Sequence, residues 1–326
     1  MGEESTWLSR FQHMLWVCGP QSWPSLAATA ADIDAARAVV RAADTSLLSA
    51  AASTPSSPPE VVAARRLLAA TTHPDTGEPI ALPFRMAAHV PVNTVLLIGM
   101  LTAGSVAATG GWQFANQAFN AAQFYANRNA SNDVSDGVLA AAFTAAVASS
   151  VGVGVALRAA AERALAAGGA TARRGAALAA MVPFLAAAAG KPLQIGIMRQ
   201  DEWRSGVAVY SADGGPPVGV SRVAGTAAVS MTVAIRTLYL APMLYLPPLH
   251  AALLRALPSM GGAATRLVSG ATFVALTAAS SAYVTPACMA LFDQRASLPA
   301  TALEPAFHPP PGSTTAVLRL YFNKGL

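Results

Sequence analysis

The segment WQFANQAFNAAQFYANR, residues 112–128, concentrates side-chain amides at a spacing that permits chemistry with a polar solute. Wound as a helix at roughly 100° per residue, Gln113, Asn116, Gln117, Asn120, Gln123 and Asn127 fall within an arc of about 120°. Trp112, Ala115, Phe119, Ala122 and Ala126 lie on the other side, while Phe124 intrudes into the polar arc. The stripe itself carries no charge. An amide both donates and accepts, so the stripe suits a zwitterion or a hydroxyl-bearing solute. Asn116, Gln117, Asn120, Asn127 and the adjoining Arg128 are the substrate candidates here. A second reading stands beside this one: an interfacial helix whose amides face headgroups or bond to neighbouring helices.

Two cations occur inside long apolar runs, Lys191 and Arg236. A charge at the centre of a bilayer costs ~3 kcal/mol or more, so such residues face a bundle interior or a cavity. Either one can hold a substrate carboxylate. The alternative is a side chain that snorkels or pairs with a backbone carbonyl. Gln194 follows Lys191 by three residues and shares its face. Arg199 and Glu202 have the same spacing at the end of that run and read as a local ion pair or a gate.

His73-Pro74-Asp75-Thr76-Gly77-Glu78 is turn chemistry, with Asp75 and Thr76 able to bond nearby backbone N–H groups. His73, Asp75 and Glu78 are potential metal ligands. With no distant partner evident, a structural turn is the better reading, and no metal is expected. No phosphate-cradling loop and no nucleophile–base set emerges, so neither an enzyme nor a cofactor is expected. The cysteines, Cys18 and Cys288, form no metal or disulfide pattern.

The elements that position these residues follow from composition. Apolar types make up 54% of the 326 residues and charged types 11%, against roughly 25% charged in an ordinary soluble domain. A lipid-facing exterior explains that deficit. The net charge of +5 is spread out, without a basic run interleaved with aromatics, which disfavours nucleic acid as a partner. Apolar runs at about 89–110, 138–157, 176–198, 226–250 and 267–292 can each cross a hydrocarbon core, which takes about 20 helical residues. Pro242 and Pro247-Pro248 predict a kinked or broken fourth helix.

Ahead of the spans, residues 1–87 read as a mostly soluble helical region. Trp7, Phe11, Leu15 and Trp16 fall at helical spacing. An amphipathic helix is expected from Asp32 to about Ser49, with Ile33, Ala36, Val40, Ala43 and Leu47 on one face. Ser57-Pro58-Pro59-Glu60 has the form of a capping box leading a helix to about Thr72. The acidic N-terminus does not read as a cleavable presequence. The expected architecture is an all-α integral membrane protein. It has a soluble region over 1–87, about five transmembrane helices with an amphipathic helix over 88–292, and a tail over 293–326. If the N-terminus faces the side carrying Arg85, Arg158, Arg163, Arg173, Arg174, Arg255 and Arg266, that side is the inside compartment.

These motifs together resemble the sideroflexin family. The resemblance runs through HPDTGE at 73–78, RMAAHVP at 85–91, WQFANQAFNA at 112–121, YANRN at 125–129, IMRQ at 197–200, VGVS at 218–221, Pro247-Pro248 and the terminal YFNKGL at 321–326, with Asn323 and Lys324. It implies a multi-pass protein of the mitochondrial inner membrane, here with its N-terminus in the matrix. It also implies a carrier of serine or another small neutral amino acid for one-carbon metabolism. Older descriptions of the family add iron handling and tricarboxylate transport. A structural or assembly role with inner-membrane protein partners is the alternative of a different class. The chain departs from the family pattern at Phe124, Lys191 and Gln194, where Asn is common. Lys191 would favour an anionic group, and Phe124 would shrink the polar surface.

Overall fold

The computed structural model describes residues 6–49, 58–73, 76–127, 135–212, 215–258, 261–291, 295–309 and 319–323. Its N-terminal unit comprises α1 (Trp7–Val17), a 3-10 run (Pro20–Ala27), α2 (Ala30–Ser49) and α3 (Pro59–Thr71). Helix α2 begins two residues before the expected Asp32. Thr29 and Asp32 explain why: Asp32 accepts from the Thr29 N–H at 2.8 Å, and Thr29 Oγ1 accepts from the Asp32 N–H at 3.3 Å. This reciprocal cap satisfies two donors that a helix start leaves open. Ile33 and Ala36 are buried, as the amphipathic pattern requires. In α3, Pro58 occupies the cap position and Pro59 the first turn, one residue later than expected. Ser57 of the expected capping box lies outside the described residues.

The His73–Glu78 segment folds back on itself. His73 N–H donates to the Glu78 carbonyl at 2.8 Å, and Gly77 N–H to that of His73 at 2.9 Å. Arg37 on α2 donates to the Gly77 carbonyl at 2.5 Å and anchors the turn. Arg85, expected among the loop charges, is instead buried. It donates to the carbonyls of Ile80, Ser25 and Ala28, tying the 3-10 run to the first apolar helix.

Four stretches are long and apolar enough to cross a membrane: Asp136–Ala166, Gly169–Met198, Arg222–Ala256 and Gly262–Met289. A fifth apolar stretch, Met86–Thr102, is shorter. Only 17% to 33% of the most apolar window in each long stretch is buried. Leu267, for example, is 75% exposed. Apolar surface on that scale requires lipid around it, and the chain is a multi-pass membrane protein.

The expected first span divides. Helix α4 (His89–Thr102) stops at Ala103, and α5 (Val106–Asn127) starts afresh. Ser105 Oγ accepts from the Ala108 N–H at 3.2 Å, capping α5, and an Arg158 guanidinium donates to the Ala103 carbonyl at the end of α4. A helix cap inside an apolar run thus separates a short apolar helix from an amide-rich one.

Helices α6 (Asp136–Ala166) and α7 (Gly169–Met198) form a long antiparallel hairpin. At 31 residues, α6 is about 46 Å long, well beyond the expected 138–157. The reversal falls on Gly168 and Gly169, with φ of 74° and 56°, a region that side chains with a Cβ rarely enter. Next come α8 (Gln200–Arg204), β1 (Val207–Val209), β2 (Gly219–Ser221), α9 (Arg222–Leu238), α10 (Pro242–Ala256) and α11 (Gly262–Met289). The break expected in the fourth span lies at Tyr239–Ala241. Pro242 follows in the first turn of α10, where its missing N–H has no helical acceptor to lose. Pro247 and Pro248 stay within α10.

The tail forms β3 (Arg295–Pro299) and β4 (Arg319–Asn323), paired antiparallel. Tyr210 and Tyr321 exchange backbone hydrogen bonds of 2.8 Å, joining this hairpin to the β1–β2 hairpin. Phe322 is 0% exposed and packs with Val209, Ala224, Ala228, Leu303 and Leu320. Phe322 of the terminal motif is therefore core and not available to a partner, while Tyr321 is half-buried.

Candidate functional site

The amide face of α5 turns into the protein. Gln113, Asn116, Gln117 and Gln123 are buried, whereas Phe114 and Tyr125 are exposed. Of the two readings of the stripe, headgroup contact is therefore excluded for these four. Phe119, expected opposite the stripe, is also buried and packs with Leu96, Leu97, Met100 and Leu246. Phe124 is half-buried.

The amides divide into those that tie helices together and those with capacity to spare. Gln117 Nε2 donates to Ser150 Oγ on α6 at 2.6 Å, and Gln113 Nε2 to the Pro183 carbonyl on α7 at 3.3 Å. Asn127 donates to the Phe84 and Gln123 carbonyls at 2.9 and 2.8 Å, which makes it an anchor. Asn120 stays on its own helix, donating to Asn116 O at 2.7 Å and Asn116 Oδ1 at 3.1 Å. Gln113 Oε1, Asn116 Nδ2, Gln117 Oε1 and Gln123 Nε2 are buried with no partner among the described residues. Each such atom costs about 1–3 kcal/mol when nothing bonds it. Four on one helix face mark a place built for something other than its own packing.

Helix α4 adds a residue the sequence reading did not single out. His89 Nδ1 lies 2.8 Å from Gln123 Oε1, to which it donates in its Nδ1–H tautomer. Asn93, one turn on, donates to the His89 carbonyl at 2.8 Å. A histidine opening an apolar helix was the available signal. Ser150, one small polar residue in a long apolar helix, gave none.

Helix α7 supplies Lys191 and Gln194, both buried, with Lys191 7% exposed. Helix α9 supplies Arg236, which lies over the Tyr239 ring at 5.8 Å. Lys191 lies two turns before Arg199, at the end of α7, and Arg236 one turn after Thr232 on α9; Arg199 and Thr232 bond across these helices. Neither cation has an acidic partner among the described residues. Gly190, just before Lys191, allows α7 to approach α5 and α6. A Cβ there would strike the Ser150 hydroxyl and come within 2.8 Å of Gln117 Nε2. The arrangement is thus a polar, cationic interior shared by α4, α5, α7 and α9.

Two structures flank it. Arg199 grips Glu202 through two bonds, Nε to Oε1 at 2.7 Å and Nη2 to Oε2 at 2.5 Å. Its Nη1 also donates to Thr232 Oγ1 on α9 at 2.6 Å. The expected local pair is therefore a cross-helix tie, one turn from Arg236 along α9. On the far side of the hairpins, the tail's Glu304 caps α9. It accepts from the Ser221 hydroxyl and the Arg222 N–H, both at 2.7 Å, and from the Val223 N–H at 3.1 Å. Burial pushes the Glu304 carboxyl upward. The hydrogen bonds from the Ser221 hydroxyl and the backbone N–H groups outweigh it and hold the group below its ordinary value.

The remaining expected residues lie elsewhere. His73, Thr76 and Glu78 belong to the anchored turn: Thr76 N–H donates to His73 Nδ1 and Glu78 N–H to Thr76 Oγ1, both at 3.3 Å. Asn323 closes β4 opposite Arg295. Asp75, Arg128 and Lys324 lie outside the described residues. A groove of about 310 Å³ between the 3-10 run and α3, where Arg66 stacks on Trp16 at 4.3 Å, is separate from the polar interior. Cys18 and Cys288 are free and buried, and burial pushes the Cys18 thiol up to about 12.

The family model for sideroflexins matches residues 3–326. Sideroflexin-1 of Ovis aries is 30% identical over 332 residues, covering 99% of this chain and 95% of the relative. Sideroflexin FSF1 of Saccharomyces cerevisiae is 32% identical over 260 residues, covering 79% and 77%. Sideroflexin-5 of Homo sapiens is 32% identical over 258 residues, covering 79% and 73%. No solved structure matches the chain.

Proposed function

The chain belongs to the sideroflexin family, and from that premise we propose that it carries a small amino acid across the mitochondrial inner membrane. The observation that carries this reading is the buried amide face of α5, with four polar atoms unsatisfied among the described residues, and with Gln117 against Gly190, the neighbour of buried Lys191 in the chain. Free donors on Asn116 and Gln123 suit a carboxylate, and free acceptors on Gln113 and Gln117 suit an ammonium or a hydroxyl. A buried cation adds the charge that fixes a carboxylate. Serine has all three groups. It is the solute the family resemblance brings forward, with supply of one-carbon metabolism as its purpose. The break at Tyr239–Ala241 offers a hinge next to the site, as interrupted helices do in other carriers.

Uptake of radiolabelled small amino acids into liposomes holding the purified protein tests the proposal. Saturable uptake that falls at least about tenfold in Asn116→Ala is expected, as when a site loses a matched polar contact. Absence of flux from well-folded protein would remove the carrier reading. An assembly role, read out as stable inner-membrane partners, would then take its place.

A further inference from the structure

Among the described residues, no acid neutralises Lys191 or Arg236. Helices α4, α5, α7, α9, α10 and α11 contain no aspartate or glutamate. The nearest acids along the chain from Lys191 beyond α7 are Asp201, which is exposed, and Glu202, which is already committed to Arg199. Lys191 is buried and Arg236 half-buried, and two like charges without an acid between them repel each other. A bound anion relieves that repulsion.

The polar interior is not a simple anion site. Gln117 Oε1 is buried without a donor, and Gln117 lies against Gly190, next to Lys191 in the chain. A lone acceptor oxygen repels a carboxylate and attracts an ammonium. Among the described residues Asn116 Nδ2 and Gln123 Nε2 are unpartnered donors, and Gln123 is joined to His89. Two positive charges, two free donors and the free acceptors of Gln113 and Gln117 together describe the complement of one solute chemistry. That solute carries two acidic groups and one ammonium. A neutral amino acid leaves one cation without a counter-charge, and a dicarboxylate leaves the amide oxygens without a donor.

We propose that, within the carrier reading on which this rests, the site selects an acidic amino acid over a neutral one. Lys191 and Arg236 each take an acidic group, and Gln117 takes the ammonium. Lys191 and Arg236 are then specificity-determining residues.

The full-length protein in liposomes supplies the test, with labelled aspartate, serine and succinate as probes. Wild-type protein should take up aspartate at least about tenfold more efficiently than serine, and also in preference to succinate, since a site built for a polar group rejects solutes lacking it. Lys191→Gln and Arg236→Gln should each narrow that ratio, and Lys191→Arg should keep it. The wild-type ratio needs no variant to fold. Serine handled as well as aspartate, or a ratio unchanged in Lys191→Gln, would overturn the selectivity while leaving the carrier reading intact. Succinate handled as well as aspartate would overturn the ammonium assignment. No uptake of any probe would overturn both readings.

Discussion

Gln117 donates to Ser150 at 2.6 Å across the α5–α6 contact, and the bare Cα of Gly190 on α7 seats against both side chains. Three helices meet at this point, and Lys191 is the next residue along α7. The geometry of the candidate site therefore depends on a residue with no chemistry of its own.

Gly190→Ala introduces a methyl where no room exists. Overpacking of this kind costs about 1–3 kcal/mol, and Gly190→Val should cost more than Gly190→Ala. Thermal unfolding of the purified protein in detergent measures the order. Equal stability of all three proteins would mean that α7 moves away without penalty.

Asn116→Leu separates function from folding. The substitution removes an unpartnered buried donor, and Asn120 keeps the Asn116 carbonyl as its acceptor. Stability should stay within about 1 kcal/mol of wild type, because deleting an unsatisfied group offsets the loss of one side-chain bond. Solute uptake should fall sharply. A variant that loses stability and keeps its flux would make Asn116 a packing residue.

Thr232→Val tests the tie between α7 and α9. Arg199 is only 13% exposed and would lose a 2.6 Å acceptor while keeping Glu202. A loss of about 1–2 kcal/mol is expected for one hydrogen bond to a charged group. Thr232→Ser, which keeps the hydroxyl, should recover most of it. Equal stability of Thr232→Val and wild type would mean that the hydroxyl does not hold the tie.

Glu304 gives the start of α9 a pH dependence. Its carboxyl is held below the ordinary value of 4.5, so its folded form favours the charged state. Stability from this cap is fully present above the unfolded value. It begins to be lost as pH falls past about 4.5 and is gone below the lowered folded value. Protection of the Arg222 and Val223 amides, taken relative to their intrinsic exchange at each pH, should therefore fall across that window in wild type. Glu304→Gln should exchange faster at neutral pH and show no such step. Identical profiles would mean the cap does not hold the helix.

Much of this was legible along the chain because the relevant physics is local. The length of an apolar run decides whether it can span lipid, and the Asp136–Ala166, Gly169–Met198 and Gly262–Met289 stretches stood out on that ground. Helical periodicity put the amides of α5 on one face, and Pro242 announced a break in the fourth span. Local chemistry was also where boundaries slipped. Thr29 began α2 early, and Ser105 capped a new helix inside a run that hydropathy alone left continuous.

What lay beyond reach was pairing at a distance. The sequence by itself determined a multi-span helical chain with an uncharged amide stripe and two cations in apolar surroundings. Tertiary structure decided that the stripe faces inward, that His89 joins Gln123, and that Lys191 is buried. It also decided that Phe322 is core, because backbone bonds between Tyr210 and Tyr321 seat the tail on α9. Side-chain type and spacing fix which groups share a helix face, but neighbours on other helices are chosen by packing. Contacts such as Gly190 against Ser150 join residues 40 positions apart, where no local rule operates.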